Sequence, residues 1–174
     1  MTLSIKDARK RNTMRFVFFL LATLITSNVA QARSGTESVY YTITGPELHS
    51  LLQSWGYRAE LTSDSTGAPK INSTASGVNF SIWFYGCSDD QVSECSSFSF
   101  SAGFDLGDGI EPAKINEWNR TERFGTAYYD EENDPYLDMN VNIDGGATAD
   151  LLRDWMRWWE VGLSDFTVHI GWRS

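Results

Sequence analysis

The residues able to carry chemistry are few. His49 and His169 are the only two histidines, and they stand in unrelated contexts. A general base needs a positioned partner. His49 falls off the apolar stripe of its segment, and His169 sits in "TVHIGW", read as extended, with no evident catalytic companion. No nucleophile elbow, H-E-x-x-H or P-loop occurs. Carboxylates are plentiful, but no pair falls in a readable motif. A hydrolytic dyad assembled in space from distant carboxylates is therefore the enzymatic alternative that stays open. "DLGDGIEP" resembles a calcium loop only loosely: Asn116 stands at the twelfth position from Asp105, where a bidentate Glu is required, and the glycine position is wrong. The acidic turn Asp130 to Asp134 reads as solvated, since Pro135 denies it calcium-type curvature. No metal and no cofactor is expected.

Two further groups of residues have spacings worth reading. Cys87 and Cys95 flank "SDDQVSE", a C-x7-C pattern that is not a redox C-x-x-C. In an exported chain one close pair reads as a disulfide. A metal site using Asp89, Asp90 and Glu94 is the weaker alternative, because no second thiol pair or nearby His supplies the ligands. Asn116 and Asn119 flank Trp118 in "INEWN". Asn is a mediocre helix former, so two in one short helix imply a task. They either hydrogen-bond the ends of neighbouring strands or hold an extended peptide or polar ligand beside Trp118.

The elements that position these residues begin after a leader. Lys6, Arg9, Lys10, Arg11 and Arg15 precede the apolar run "FVFFLLATLI" and an Ala30-Gln31-Ala32 site. This is the pattern of a secretory signal peptide, residues 1–32, with cleavage after Ala32. The run is too short for a comfortable membrane anchor. The start is either Met1 or Met14. Export places the chain in the periplasm or outside the cell. The leader holds five of the 14 Lys+Arg and one of the 23 Asp+Glu, so cleavage takes the net charge from −9 to −13. Such a surface repels nucleic acid phosphates and anionic lipid. A neutral or basic protein or peptide is the expected partner.

Residues 33–43 read as a polar lead-in and 44–174 as one domain. "TGPELHSLLQSWG" predicts a helix capped by Thr44 or Gly45, started by Pro46 and closed by Gly56. "YRAELT" and "KIN" read as short strands. "VNFSIWFYG" and "CSSFSFSAGF" alternate as a hairpin with the two cysteines at its facing ends, although Trp83 and Tyr85 interrupt the polar side. "PAKINEWNRTE" predicts a second helix with Ile115 and Trp118 on one face. "TAYYD" and "YLDMNVNI" predict two strands, the latter dry on one face and wet on the other. A last helix runs from Thr148 to Phe166, capped by Ala147 or Thr148, with a broad apolar stripe. It carries Trp155, Trp158 and Trp159. If Trp155 and Trp159 face the sheet, Trp158 lies toward the stripe's edge and is the candidate partner contact.

The segment "KINEWNRTERFGTAYYDEENDPYLDMNVNIDGGATADLLRDWMRWW" resembles the YbjN domain family of bacterial sensory transduction regulators. The matching features are Ile115, Asn116, Trp118 and Asn119; Arg123, Phe124, Ala127, Tyr128 and Asp130; the alternating strand Leu137 to Ile143; and the turn Gly145-Gly146. With "LLQSWGYRAELTSDSTGAPKI" the resemblance covers roughly Thr44 to Phe166. It implies an α+β fold like that of type III secretion chaperones: a twisted antiparallel sheet with three helices, in the order α-β-β-β-α-β-β-α. Such chaperones are usually dimeric and bind unfolded client segments, so a homodimer and a chaperone-like or regulatory role are implied. They are also cytosolic, which a leader and a disulfide contradict, and the family names no catalytic residue. The reading is an exported, non-enzymatic binding module; the alternative is a periplasmic hydrolase.

Overall fold

The computed structural model of the protein describes residues 38–88 and 94–172. The leader, its cleavage site, residues 33–37, Asp89 and Asp90 lie outside the described residues.

Each helix starts and stops where local chemistry satisfies its end groups. α1 (Gly45–Ser54) has Thr44 as N-cap in a full capping box. The Thr44 hydroxyl accepts from the Glu47 amide at 3.2 Å, and the Glu47 carboxylate accepts from the Thr44 amide at 2.9 Å. Gly56 then takes φ 93°, which lets its amide reach Gln53 O and the Tyr57 amide reach Leu52 O, both at 3.0 Å. α2 is Pro112–Thr121, begun by its proline. α3 is Ala149–Ile170, capped by Thr148 and ended by Gly171 at φ 73°.

The strands are β1 (Val39–Tyr40), β2 (Ala59–Ser63), β3 (Pro69–Ala75), β4 (Val78–Tyr85), β5 (Ser97–Gly103), β6 (Thr126–Tyr129), β7 (Pro135–Asn142) and β8 (Ala147–Thr148). Six form one antiparallel sheet in the order β2-β3-β4-β5-β7-β6, and β1 pairs with β8. The fold is α+β, a largely antiparallel sheet with three helices. Four strands separate α1 from α2, matching the four strand segments read from the sequence and one more than the order the resemblance implies; "KIN" lies within a seven-residue strand. The lead-in also joins the fold. Its Val39 and Tyr40 pair with α3's cap strand, and the fully buried Ile43 exchanges two backbone bonds with Cys95, at 2.9 and 3.0 Å.

One face of the sheet is dry. Ile71, Phe80, Ile82, Phe98, Phe100, Leu137 and Met139 join Leu48 and Leu52 of α1, Ile115 and Trp118 of α2, and Met156, Trp159 and Leu163 of α3 in one core. Trp159 stacks on Phe100, with centroids 5.5 Å apart, and meets Phe80 edge-on at 5.7 Å. α3 outlasts its expected end at Phe166. Val168 is 80 % exposed while Ile170 is buried, so helical spacing carries the stripe one more turn. His169 is therefore helical, not extended. Its Nε2 donates to Lys114 O at 2.7 Å, and Lys114 Nζ donates to His169 O at 2.9 Å. That reciprocal pair ties α2 to the end of α3, where a cation also favours the helix dipole.

Candidate functional site

The second face of the sheet carries no helix, and register defines its rows. Glu60, Asn72, Ser81, Ser101, Asp138 and Thr126 lie side by side across all six strands. The next row is Thr62, Lys70, Trp83, Ser99 and Asn140, followed by Tyr85, Ser97 and Asn142. On the opposite flank Tyr136 faces Gly103 and Tyr128. Directly opposed side chains on one face interact. Ser81 Oγ donates to Asn72 Oδ1 at 3.1 Å, and the Lys70 ammonium sits 4.1 Å from the centroid of the Trp83 ring.

This face is concave where its side chains are small. Ser81, Ser101 and Gly103 floor a groove of about 570 Å³ that Arg58, Glu60, Asn72 and Asn79 also line. Gly103 allows close approach: a Cβ there would sit 2.5 Å from the Tyr136 ring, so one of the two would have to shift. Tyr136 lies across the glycine and stacks on Tyr128, centroids 5.2 Å apart and planes at 14°. A second groove of about 400 Å³ lies beyond the Trp83 row, lined by Tyr85, Ser97, Asn140 and Asn142.

Asp138 and Tyr128 are the charged and titratable pair of this face. Burial first, then the charge of Asp138 and a hydrogen bond to it, push the Tyr128 phenol up to about 12. One oxygen of that carboxylate, Oδ1, is buried without a hydrogen-bond partner. A phenol whose folded pKa is raised contributes stability fully present below its unfolded value near 10, lost as pH rises through about 12. Alkaline absorbance titration of wild type against Tyr128→Phe is expected to lose a tyrosinate step near 12. A lost step near 10 would break the Asp138 account.

The residues singled out from sequence separate in space. Cys87 and Cys95 form a disulfide at the closed end of the β4–β5 hairpin, with Cα atoms 3.7 Å apart. Trp118 is only 2 % exposed: its ring meets Phe166 edge-on at 4.9 Å and its indole N–H donates to Gly125 O at 3.3 Å. It offers a partner almost no surface, a correction to its place beside a ligand. Asn119 grips Ala127 of β6 by both backbone groups, donating to the carbonyl at 2.9 Å and accepting from the amide at 2.8 Å. Asn116 is exposed on α2. Trp158 is 47 % exposed, stacked on Phe124 at 4.6 Å, with Leu151 also exposed nearby on the same helix flank. Of the carboxylates in the acidic turn, Asp130 accepts from the Glu132 and Asp134 amides at 3.0 Å and so builds the turn itself. His49 Nε2 lies 3.2 Å from Ala59 O. Among the described residues no group of three or more His, Cys, Asp or Glu is arranged to hold a metal ion, and no helix is long and apolar enough to cross a membrane.

The buried Trp118, the Asn119 clamp and the Gly146 turn before α3 are the same short motifs that the sequence strings together, now in one packed unit. The family model for YbjN, described as "Putative bacterial sensory transduction regulator", matches residues 47–171. The chain belongs to the YbjN family. Among curated proteins none matches it. The YbjN description is of a regulator and not of an enzyme. Within this YbjN domain the one-sided cover of the sheet was legible from the strand "YLDMNVNI", and what sequence reading missed is the alignment of polar residues into rows and a groove on the open face. Its signal was present as alternating Asn, Ser and Thr on four strands, but their alignment depends on register, which no single strand reveals.

Proposed function

We propose that the protein is an exported, non-enzymatic regulatory module of the bacterial envelope that acts by binding a protein partner through the exposed flank of α3. The observation that carries this reading is Trp158. It is a large aromatic side chain left 47 % exposed in a domain that buries Trp118 and Trp159 almost completely. Its ring is held by Phe124, whose other neighbours are Trp155 at 6.3 Å and the Arg123 guanidinium at 5.8 Å. A preorganised Trp with an arginine on the same aromatic stack has the composition of a contact hot spot, where Trp, Tyr and Arg are enriched. Export is supported by the leader pattern and by a disulfide, which persists in oxidising compartments. The family description supports a regulatory role.

Trp158→Ala is expected to weaken partner capture or self-association at least tenfold while the thermal melt stays within a few degrees of wild type. Light scattering separates a homodimer from a different partner, which affinity capture from envelope extract would identify. A melt lowered as far as that of a core truncation, with association unchanged, would overturn the reading. Mass spectrometry of the envelope fraction is expected to find Arg33 as the first residue; an intact leader there would overturn export with cleavage.

A further inference from the structure

We propose that the open face of the sheet binds a neutral linear glycan, seated across the strands in the trench lined by Asn72, Ser81 and Ser101. The first argument is charge. The chain has a net charge of −9, yet on the four central strands this face carries only Lys70 and Asp138, and the Lys70 ammonium is already seated on Trp83. Ordinary soluble surfaces intersperse charges of both signs. Arg58 and Glu60, which line the groove beside β2, are of opposite sign, so a nucleic acid, an anionic lipid or a charged peptide finds no net charge there to pair with. What the face presents is hydroxyls and amides that both donate and accept, bordered by aromatic rings. Those are the complements of a saccharide's hydroxyl edges and its C–H faces.

The second argument is shape. The floor holds serines, and register places Trp83 two residues along β4 and Tyr136 two residues along β7, on opposite flanks. The groove of about 570 Å³ is itself lined from β2 to β5 and includes neither ring. The third is spacing. Strands repeat about every 4.8 Å across a sheet, close to the length of one pyranose ring. A linear glycan crossing the strands therefore meets one floor residue per sugar. An extended peptide needs free backbone groups at a sheet edge, whereas the floor backbones are already paired within the ladder.

The trench lies on the opposite side of the sheet from α3, so it stands or falls independently of the Trp158 contact. Calorimetric titration of the disulfide-bonded protein with tetrasaccharides of glucose and of N-acetylglucosamine tests it and distinguishes the two sugar types. At least one is expected to bind, with Asn72→Ala and Ser101→Ala each weakening it about tenfold, the loss of one good hydrogen bond, and Trp158→Ala leaving it unchanged. Backbone amide shifts are expected to move on β3, β4, β5 and β7. Absence of binding by either tetrasaccharide at millimolar concentration, affinity that survives both substitutions, or shifts confined to α3 would each overturn the proposal. So would stronger occupation of the same trench by an uncharged peptide of equal length.

Discussion

Trp159→Ala is expected to destabilise the fold by about 3–5 kcal/mol, the usual cost of truncating a buried large aromatic. Trp159 is 1 % exposed and lies between the sheet and α3, against both Phe80 and Phe100. Removing it opens a cavity where the central strands meet the longest helix, and rigid strand backbones on one side limit collapse into the gap. Its indole Nε1 is buried with no hydrogen-bond partner. Trp159→Phe therefore removes an unsatisfied donor together with part of a ring, and it is expected to cost well under the alanine change. Chemical denaturation of the two variants checks the order. An alanine variant within about 1 kcal/mol of wild type would mean that the site relaxes freely, and the packing account would fail.

Cys87→Ser is expected to cost about 2–3 kcal/mol, the chain-entropy value for so short a loop. The bridge spans a sequence separation of 8. Cys95 is fully buried, and its backbone holds Ile43 of the lead-in. Loss of the bridge is therefore expected to loosen the pairing of Ile43 as well as the hairpin end, visible as faster amide exchange at Ile43 and Cys95. Reductant is expected to reproduce the stability change in the wild type and to leave the serine variant untouched. Neither treatment should alter association through Trp158, which lies on a different element. Two free thiols in protein recovered from its native compartment would remove the bridge and with it one support for export.

The contrast between Trp159 and Trp158 shows where sequence reasoning reaches its end. Both fall on or beside one apolar stripe of α3, and a helical wheel places Trp158 at its margin. The wheel does not say whether the margin is covered. Phe124, from the loop between α2 and β6, covers one face of the Trp158 ring and leaves the residue half open. That is a contact between segments distant in sequence. Trp118 is the reverse case. Its asparagine neighbours made it look like part of a ligand site, but Asn119 spends its amide on the Ala127 backbone and the ring enters the core.

The amino-acid sequence by itself determined the local features, because they depend on neighbours within a turn. Thr44 with Glu47, Pro46 and Gly56 set both ends of α1; Thr148 set the start of α3; alternation marked the dry faces of β4, β5 and β7. The cysteine pairing followed from their positions at the ends of one hairpin. What only the tertiary structure decided was everything that requires two distant segments to meet. The extra turn of α3 is held by the exchange between Lys114 and His169, fifty-five residues apart in the chain. The length of β3 is fixed by partners on both sides. The row from Asn72 to Asp138 exists only because four strands share one register, and a slip of one residue in any of them would turn its polar side chain into the core and close the trench.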